Sequence, residues 1–254
     1  MQYTRIVPRR GVNDEGKGKK HALYRLISEA ATEYVWLQDD DIVPPTAVPE
    51  TDADMLILPL RMEPASGRPS LLERLQMTEY AAIQQLTIET ARRGHPVLCS
   101  GANLLVRRAR WLESYGDLHP EQPSGDDMFL LESFKRRGLK IAVVSDAAYE
   151  AVVRPIGSWR AFFRQRMRWA GKASYYTDRD IRLCGATVVI ANLLQLLCPP
   201  LLLLKFPIDF FLARKRDASV SLSVAFLLEL LYPWYMFLSL VGGMFASRKA
   251  SPSF

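Results

Sequence analysis

Three short stretches of this 254-residue chain carry side chains suited to chemistry. The stretch "YVWLQDDDIVPP", residues 34–45, sets Asp39, Asp40 and Asp41 behind an apolar run and ahead of two prolines. Adjacent carboxylates raise one another's pKa unless a positive group answers them. A D-x-D pair on a turn lets Asp39 and Asp41 converge on one hard divalent cation such as Mg²⁺, whose shell water and substrate phosphates complete. The competing reading is a solvated acidic loop or a helix cap. A second pair, Asp126-Asp127, follows "QPSG" and precedes "MFLLESFKRRG". A carboxylate there caps a helix and complements its dipole. Capping by Asp126 is compatible with Asp127 serving as a rigidly held base. In the third stretch, "RAFFRQRMRWAGKASYY" (160–176), Gln165, Arg168 and Trp169 fall at i, i+3 and i+4 of a helix and share a face. That face offers an amide, a guanidinium for phosphate and an indole that stacks on a sugar. A basic helix lying on a membrane gives the same pattern, and both hold if Arg160, Arg164 and Lys172 meet anionic lipid.

The elements that must position these groups read as an alternation. Residues 20–33 place apolar side chains at helical spacing, and "YVWL" after them reads as a buried strand ending at the Asp cluster. Residues 54–60 predict a second strand, 70–93 a long helix broken by Gly94 and Pro96, and "VLCSGANLLVRR" a strand, Gly turn and strand. Residues 126–137 predict a helix capped by Gly138, and "KIAVVS" a further strand. Alternating strands and helices imply an α/β sheet with helices on its faces, with ligands at the carboxyl ends of its strands. Asp39–Asp41 lie at such an end.

The chain carries a formal charge of +6 and is 49% hydrophobic, an average over two unlike parts. Residues 1–182 are mixed and charged, and 183–246 mostly apolar. Leu183 to Leu204 is uncharged and long enough to span a ~30 Å bilayer core, though Pro199-Pro200 interrupt it. A run to Ala213 contains Asp209 and precedes Arg214-Lys215-Arg216, and 220–246 is apolar apart from Glu229. Asp209 and Glu229 are costly in lipid and are expected to face protein or the interface. Positive charge favours the cytoplasmic side. Two topologies follow: a hairpin turning near Pro199-Pro200 and then one span, or two simple spans. Cys99, Cys184 and Cys198, with His21, His95 and His119, lack metal-ligand spacing and suggest no disulfide framework. The opening residues 1–20 read as polar and basic.

In order, "GKKHAL" (18–23), "DDD" (39–41), "SGANLLVRR" (100–108), "GDD" (125–127) and "QRMRW" (165–169) precede apolar helices. This series resembles the processive-type family 2 glycosyltransferases of GT-A fold, the group of cellulose, chitin and hyaluronan synthases. The resemblance implies a GT-A-like mixed sheet over residues 1–180, including a basic interfacial helix at about 157–176, then a membrane region over 181–254 with two to three helices. It implies a multi-pass inner (cytoplasmic) membrane protein with its catalytic part in the cytoplasm. The implied reaction is inverting transfer from a nucleotide-sugar, of UDP type, to a glycan or lipid-linked acceptor. Asp39 and Asp41 would hold Mg²⁺ or Mn²⁺ on the diphosphate, and Asp127 would be the general base. Lys19, Asp126, Gln165, Arg168 and Trp169 would bind donor or acceptor. Nucleic acid is not an expected partner.

The family's opening P-x-x-N-E-like turn and later D-x-S-x-D segment are not found before "GKGKKHAL". A sheet without those strands is N-terminally truncated and exposes an edge, which a protein partner or the membrane is expected to cover. The alternatives are a non-catalytic membrane subunit, pseudoenzyme or fragment, and a polyprenyl-phosphate sugar transferase, whose relatives usually lack Q-x-x-R-W.

Overall fold

The computed structural model describes residues 1–9, 18–65, 67–120, 122 and 124–249, with side chains through Gly243. Residues 10–17, ahead of the Gly-Lys segment, and residues 121 and 123, ahead of Asp126, lie outside the described residues. The chain forms two compact units, one of residues 1–61 and 87–153, the other of residues 62–86 and 154–254.

The first unit is built on a five-stranded mixed sheet. Its strands are β1 (Tyr3–Ile6), β2 (Tyr34–Leu37), β3 (Met55–Ile57), β5 (Leu104–Arg107) and β6 (Ile141–Val143), in the order β1-β2-β5-β3-β6. β1 runs parallel to β2 and β3 parallel to β6, while β5 is antiparallel to both β2 and β3. All four residues of β2 are buried, as a strand covered on both faces requires. Tyr34 and Trp36 point to one face and pack with Leu56, Leu58 and Leu105; each such side chain contributes about 1.5–3 kcal/mol when fully buried. The helices of this unit are α1 (Lys19–Glu29), the last turns of α2 (Leu71–Arg92), α3 (Arg108–Glu113) and α4 (Asp126–Arg136).

Several local expectations are corrected. Residues 3–6, read as part of a polar opening, form β1, and β1-α1-β2 is a parallel β-α-β unit at the sheet's edge. The helix expected over 20–33 stops at Glu29: Ala30 is extended, and the Thr32 hydroxyl bridges Thr4 and the Tyr34 carbonyl. The strand expected over 54–60 is divided around Pro59, and β4 (Leu60–Met62) pairs instead with β7 (Ala151–Val153) in a separate two-stranded sheet. In "VLCSGANLLVRR" only Leu104–Arg107 is strand. Residues 97–100 are irregular, and their Cys99 thiol is turned to the Asp127 carbonyl.

The second unit contains the first turns of α2 together with α5 (Trp159–Ala170), α6 (Arg179–Leu197), α7 (Leu202–Arg216) and α8 (Leu222–Lys249). α2 opens with a capping box, Ser70 and Glu73 each accepting the other's backbone N–H. α6 and residues Leu222–Gly243 of α8 are long and apolar enough to cross a membrane, and only 17% and 28% of their apolar windows are buried. A core helix of a soluble protein is mostly buried; here Leu183, Leu197, Leu203, Phe211 and Trp234 stand exposed. α7, with 15 residues, is about 22 Å long and falls short of a bilayer core. A 3₁₀ turn at Pro199–Leu201, where the reversal was expected, separates α6 from α7. Asp209 and Glu229 share a partner that the sequence reading passed over: Lys205 lies 2.6 Å from the one and 2.7 Å from the other.

Candidate active site

Three element ends converge in the first unit. The acidic turn leaves β2 and is held on either side of its carboxylates: Gln38 N–H donates to Ile6 O of β1 at 3.0 Å, and Val43 exchanges two bonds with Val152, at 2.9 and 2.8 Å. Asp39, Asp40 and Asp41 lie between these clamps. α1 starts at Lys19 behind Gly18, whose φ of +89° suits glycine alone among common residues. α4 starts at Asp126 behind Gly125, at φ +90°.

Lys19 ties the three ends together. Its Nζ donates to Asp39 Oδ1 at 2.7 Å and lies 3.2 Å from Asp126 Oδ2. Burial pulls this ammonium's pKa down, but the carboxylates of Asp126 and Asp39, with Asp127 beyond them, overcome that and hold it above the ordinary value. Burial likewise pushes Asp126 up, and Lys19 more than offsets it, leaving the Asp126 carboxyl below the usual range. Asp126 is not the helix cap that the sequence suggested. Gly125, which has no side chain to offer, occupies that position, and the Asp126 carboxylate one residue on is turned to Lys19. Asp127 Oδ1 accepts from Met128 N–H at 2.8 Å, and its Oδ2 accepts from Gly101 N–H at 3.4 Å. Asp41 is raised by its own partial burial, then by Asp39, with Asp40 adding less.

Three residues that sequence reasoning missed shape this centre. Gly101 forms its floor: a Cβ there would lie 3.4 Å from Asp126 Oδ2 and 3.7 Å from Lys19 Nζ, so a larger side chain would fill the space. Asn103, buried, accepts from Trp36 Nε1 at 2.8 Å and donates to Pro59 O and Tyr149 O at 2.9 and 3.1 Å. It fixes the end of β2 from beneath. Lys20 is buried, donates to the Leu118 and His119 carbonyls and sits 4.8 Å over the Phe129 ring, fastening α1 to the segment before α4. "SGAN" was visible as a motif, but neither the space at Gly101 nor the three-way bonding of Asn103 leaves a mark in spacing. Cys99 beside Asp127 is pushed well up by burial first and then by the two carboxylates, so it stays a thiol rather than a nucleophile.

The remaining expected residues form their own group on α5 in the second unit. Ser158 caps this helix, accepting from Ala161 N–H. Gln165 is half-buried, while Arg168 and Trp169 are exposed. The residue between them, Arg166, is buried and pairs with buried Glu79 of α2, which also accepts from Tyr235 Oη of α8 at 2.6 Å. The Arg166 guanidinium lies 4.3 Å over the Trp169 ring and 4.8 Å over Phe162. One face of the indole expected to stack on a sugar is therefore covered by Arg166. The i, i+4 spacing of Phe162 and Arg166 was a signal for this inward face.

Among the described residues no group of three or more His, Cys, Asp or Glu side chains is placed to hold a metal ion. The donor set nonetheless fits a hard cation: Asp39 and Asp41 are carboxylates of one turn, Lys19 takes one Asp39 oxygen, and Asp41 is pushed up by burial and then by its acidic neighbours. No curated protein matches the chain at a significant level. A family model described as glycosyltransferase-like family 2 matches residues 1–172, and that span holds the mixed sheet, the converging carboxylates and α5. With more than half of its length matched, the chain belongs to the glycosyltransferase-like family 2.

Proposed function

We propose that this glycosyltransferase is a membrane-bound, inverting enzyme that moves a sugar from a UDP-type nucleotide-sugar to a glycan or lipid-linked acceptor. The observation that carries the reading is the convergence of Lys19, Asp39, Asp126 and Asp127 at the carboxyl end of β2 and the start of α4. The start of α1 supports an anion there, since its cap position is Gly18, which brings no side-chain bond, and helix N-termini favour phosphate.

In this reading Asp39 and Asp41 hold Mg²⁺ or Mn²⁺, which when bound neutralises charge on the leaving diphosphate. Lys19 is already oriented by two carboxylates and supplies a fixed cation to the donor. Asp127, its carboxylate held by two backbone N–H groups, takes the proton of the attacking acceptor hydroxyl, and attack opposite the leaving group inverts the anomeric carbon. Such a base is worth about 10²–10⁴-fold in rate. Gln165, Arg168 and Trp169 bind the diphosphate and the acceptor's terminal sugar, Trp169 through the indole face that Arg166 leaves open. The apolar, largely exposed surfaces of α6 and α8 support anchoring in the cytoplasmic membrane, with Arg214-Lys215-Arg216 on the cytoplasmic side.

The test is Asp127→Asn in the full chain reconstituted in bilayer nanodiscs. Metal-dependent UDP binding is expected to persist while sugar transfer falls by about 10²-fold or more. Full transfer by the variant would overturn the assignment of the base. Absence of UDP binding by the unmodified chain with Mg²⁺ or Mn²⁺ would overturn the donor.

A further inference from the structure

We propose that the second unit carries a binding site for a single-chain lipid with an uncharged, hydroxylated head group, between α2, α6, α7 and α8. These helices line a cavity of about 480 Å³, within the size range of small-molecule sites. Its walls are apolar, with Ala82, Ile83, Leu194, Phe206 and Leu228 among them. Leu204 and Ile208, also lining it, are 69% and 61% exposed, so an alkyl chain can enter from the lipid-facing side.

The polar part of the lining selects the head group. Lys205 Nζ bonds Asp209 Oδ2 at 2.6 Å and Glu229 Oε1 at 2.7 Å, so one ammonium serves two carboxylates and the cluster has acceptor oxygens to spare. Glu79 also lines the cavity but is engaged by Arg166 and Tyr235. Asn192 adds a second, independent observation. It is fully buried, its Nδ2 donates to Val188 O at 2.7 Å, and its Oδ1 accepts no bond. A buried acceptor left unbonded is costly and calls for a donor from a bound molecule. An anionic head would meet Asp209 and Glu229, and Lys205 already fills the position between the two carboxylates that an ammonium head would need. A hydroxyl donates to the spare acceptors and brings no charge.

The site is tested by binding, without sugar donor, so its failure is distinct from failure of the transferase reading. The probe is dodecylglycerol carrying a diazirine on its chain, photolysed with the full chain in phosphatidylcholine nanodiscs. Labelling is expected on α6, α7 and α8 at this cavity, competed by plain dodecylglycerol but not by dodecyl phosphate or dodecyltrimethylammonium. Asn192→Leu should weaken competition about fivefold while leaving the unfolding midpoint unchanged or raised, because it removes an unbonded acceptor. Ala82→Phe on α2 and Ala191→Phe on α6 each fill the cavity and should each abolish specific labelling, so either folded variant decides the question. Specific labelling that survives in a folded filling variant would overturn the site. Equal competition by the phosphate or the ammonium lipid would overturn the head-group assignment and with it the proposal.

Discussion

The buried Arg166–Glu79 pair gives the sharpest energetic test. Side-chain exposures of 9% and 6% place both charges out of water, and Tyr235 adds a hydroxyl to the same carboxylate. Breaking such a pair from one side strands a buried charge at about 3–5 kcal/mol. Arg166→Met also forfeits the guanidinium's contact with Trp169 and Phe162, worth about 0.5–2 kcal/mol. It should therefore cost about 4 kcal/mol, and Glu79→Gln about 3 kcal/mol. The intact pair is not itself strongly stabilising, because Arg166 Nε and Nη1 are buried without partners. The double variant should accordingly lose only about 3–4 kcal/mol rather than about 7, a coupling of roughly 3 kcal/mol. Denaturant-induced unfolding of the detergent-solubilised chain at neutral pH, followed by circular dichroism, measures all four corners of the cycle. Losses that simply add, within about 0.5 kcal/mol, would refute the claim that the two charges depend on each other.

Other outcomes follow from the same geometry. Gly101→Ala places its methyl at ordinary contact distance and should bind UDP nearly as the unmodified chain does, while Gly101→Val should weaken binding by about tenfold or more, as titration calorimetry would show. Asn103→Leu orphans the buried Trp36 N–H and two carbonyls and should cost about 3 kcal/mol in the same unfolding assay. Asp117 is pushed up by burial but held lower by Ser133, Arg137 and Arg136, so its folded pKa is depressed. Its contribution, about 1 kcal/mol or less at this partly exposed position, is present above the ordinary carboxyl pKa and lost as pH falls through the folded value. Unfolding midpoints of Asp117→Asn and the unmodified chain should therefore differ at pH ~7, and the difference should shrink as pH falls below the ordinary carboxyl pKa.

Sequence patterns revealed what depends on local order and missed what depends on partners. β2, α2 and α4 were legible because each buries a periodic run bounded by a turn or a glycine. β1 was not, since four residues containing Thr4 and Arg5 become a strand only through pairing with β2. β4 and β7 are three-residue strands that form by pairing with distant partners, β4 with β7 and β7 also with Val43. Asp39, Asp126 and Asp127 stood out because they sit at element ends, where the chain's connectivity itself predicts convergence. Lys19 entered through family resemblance, and its bridge between two carboxylates is a tertiary fact. Arg166 was harder to see for the opposite reason: among the arginines of α5, only its i, i+4 spacing from Phe162 marks the one that turns inward.

Beyond that charge pair, at the C-terminal end of α5, Gly242 and Gly243 of α8 bring two backbones almost into touch. A Cβ on Gly243 would lie 2.9 Å from Gly171 N and from Met167 O, and one on Gly242 would lie 2.3 Å from Met167 Sδ. The consequence is kinematic. Helices meshed this closely at one point, and pinned by Tyr235 and Glu79 at another, share a single rigid frame rather than sliding as separate rods. The tilt of α8 and the orientation of Gln165, Arg168 and Trp169 are then one degree of freedom, not two.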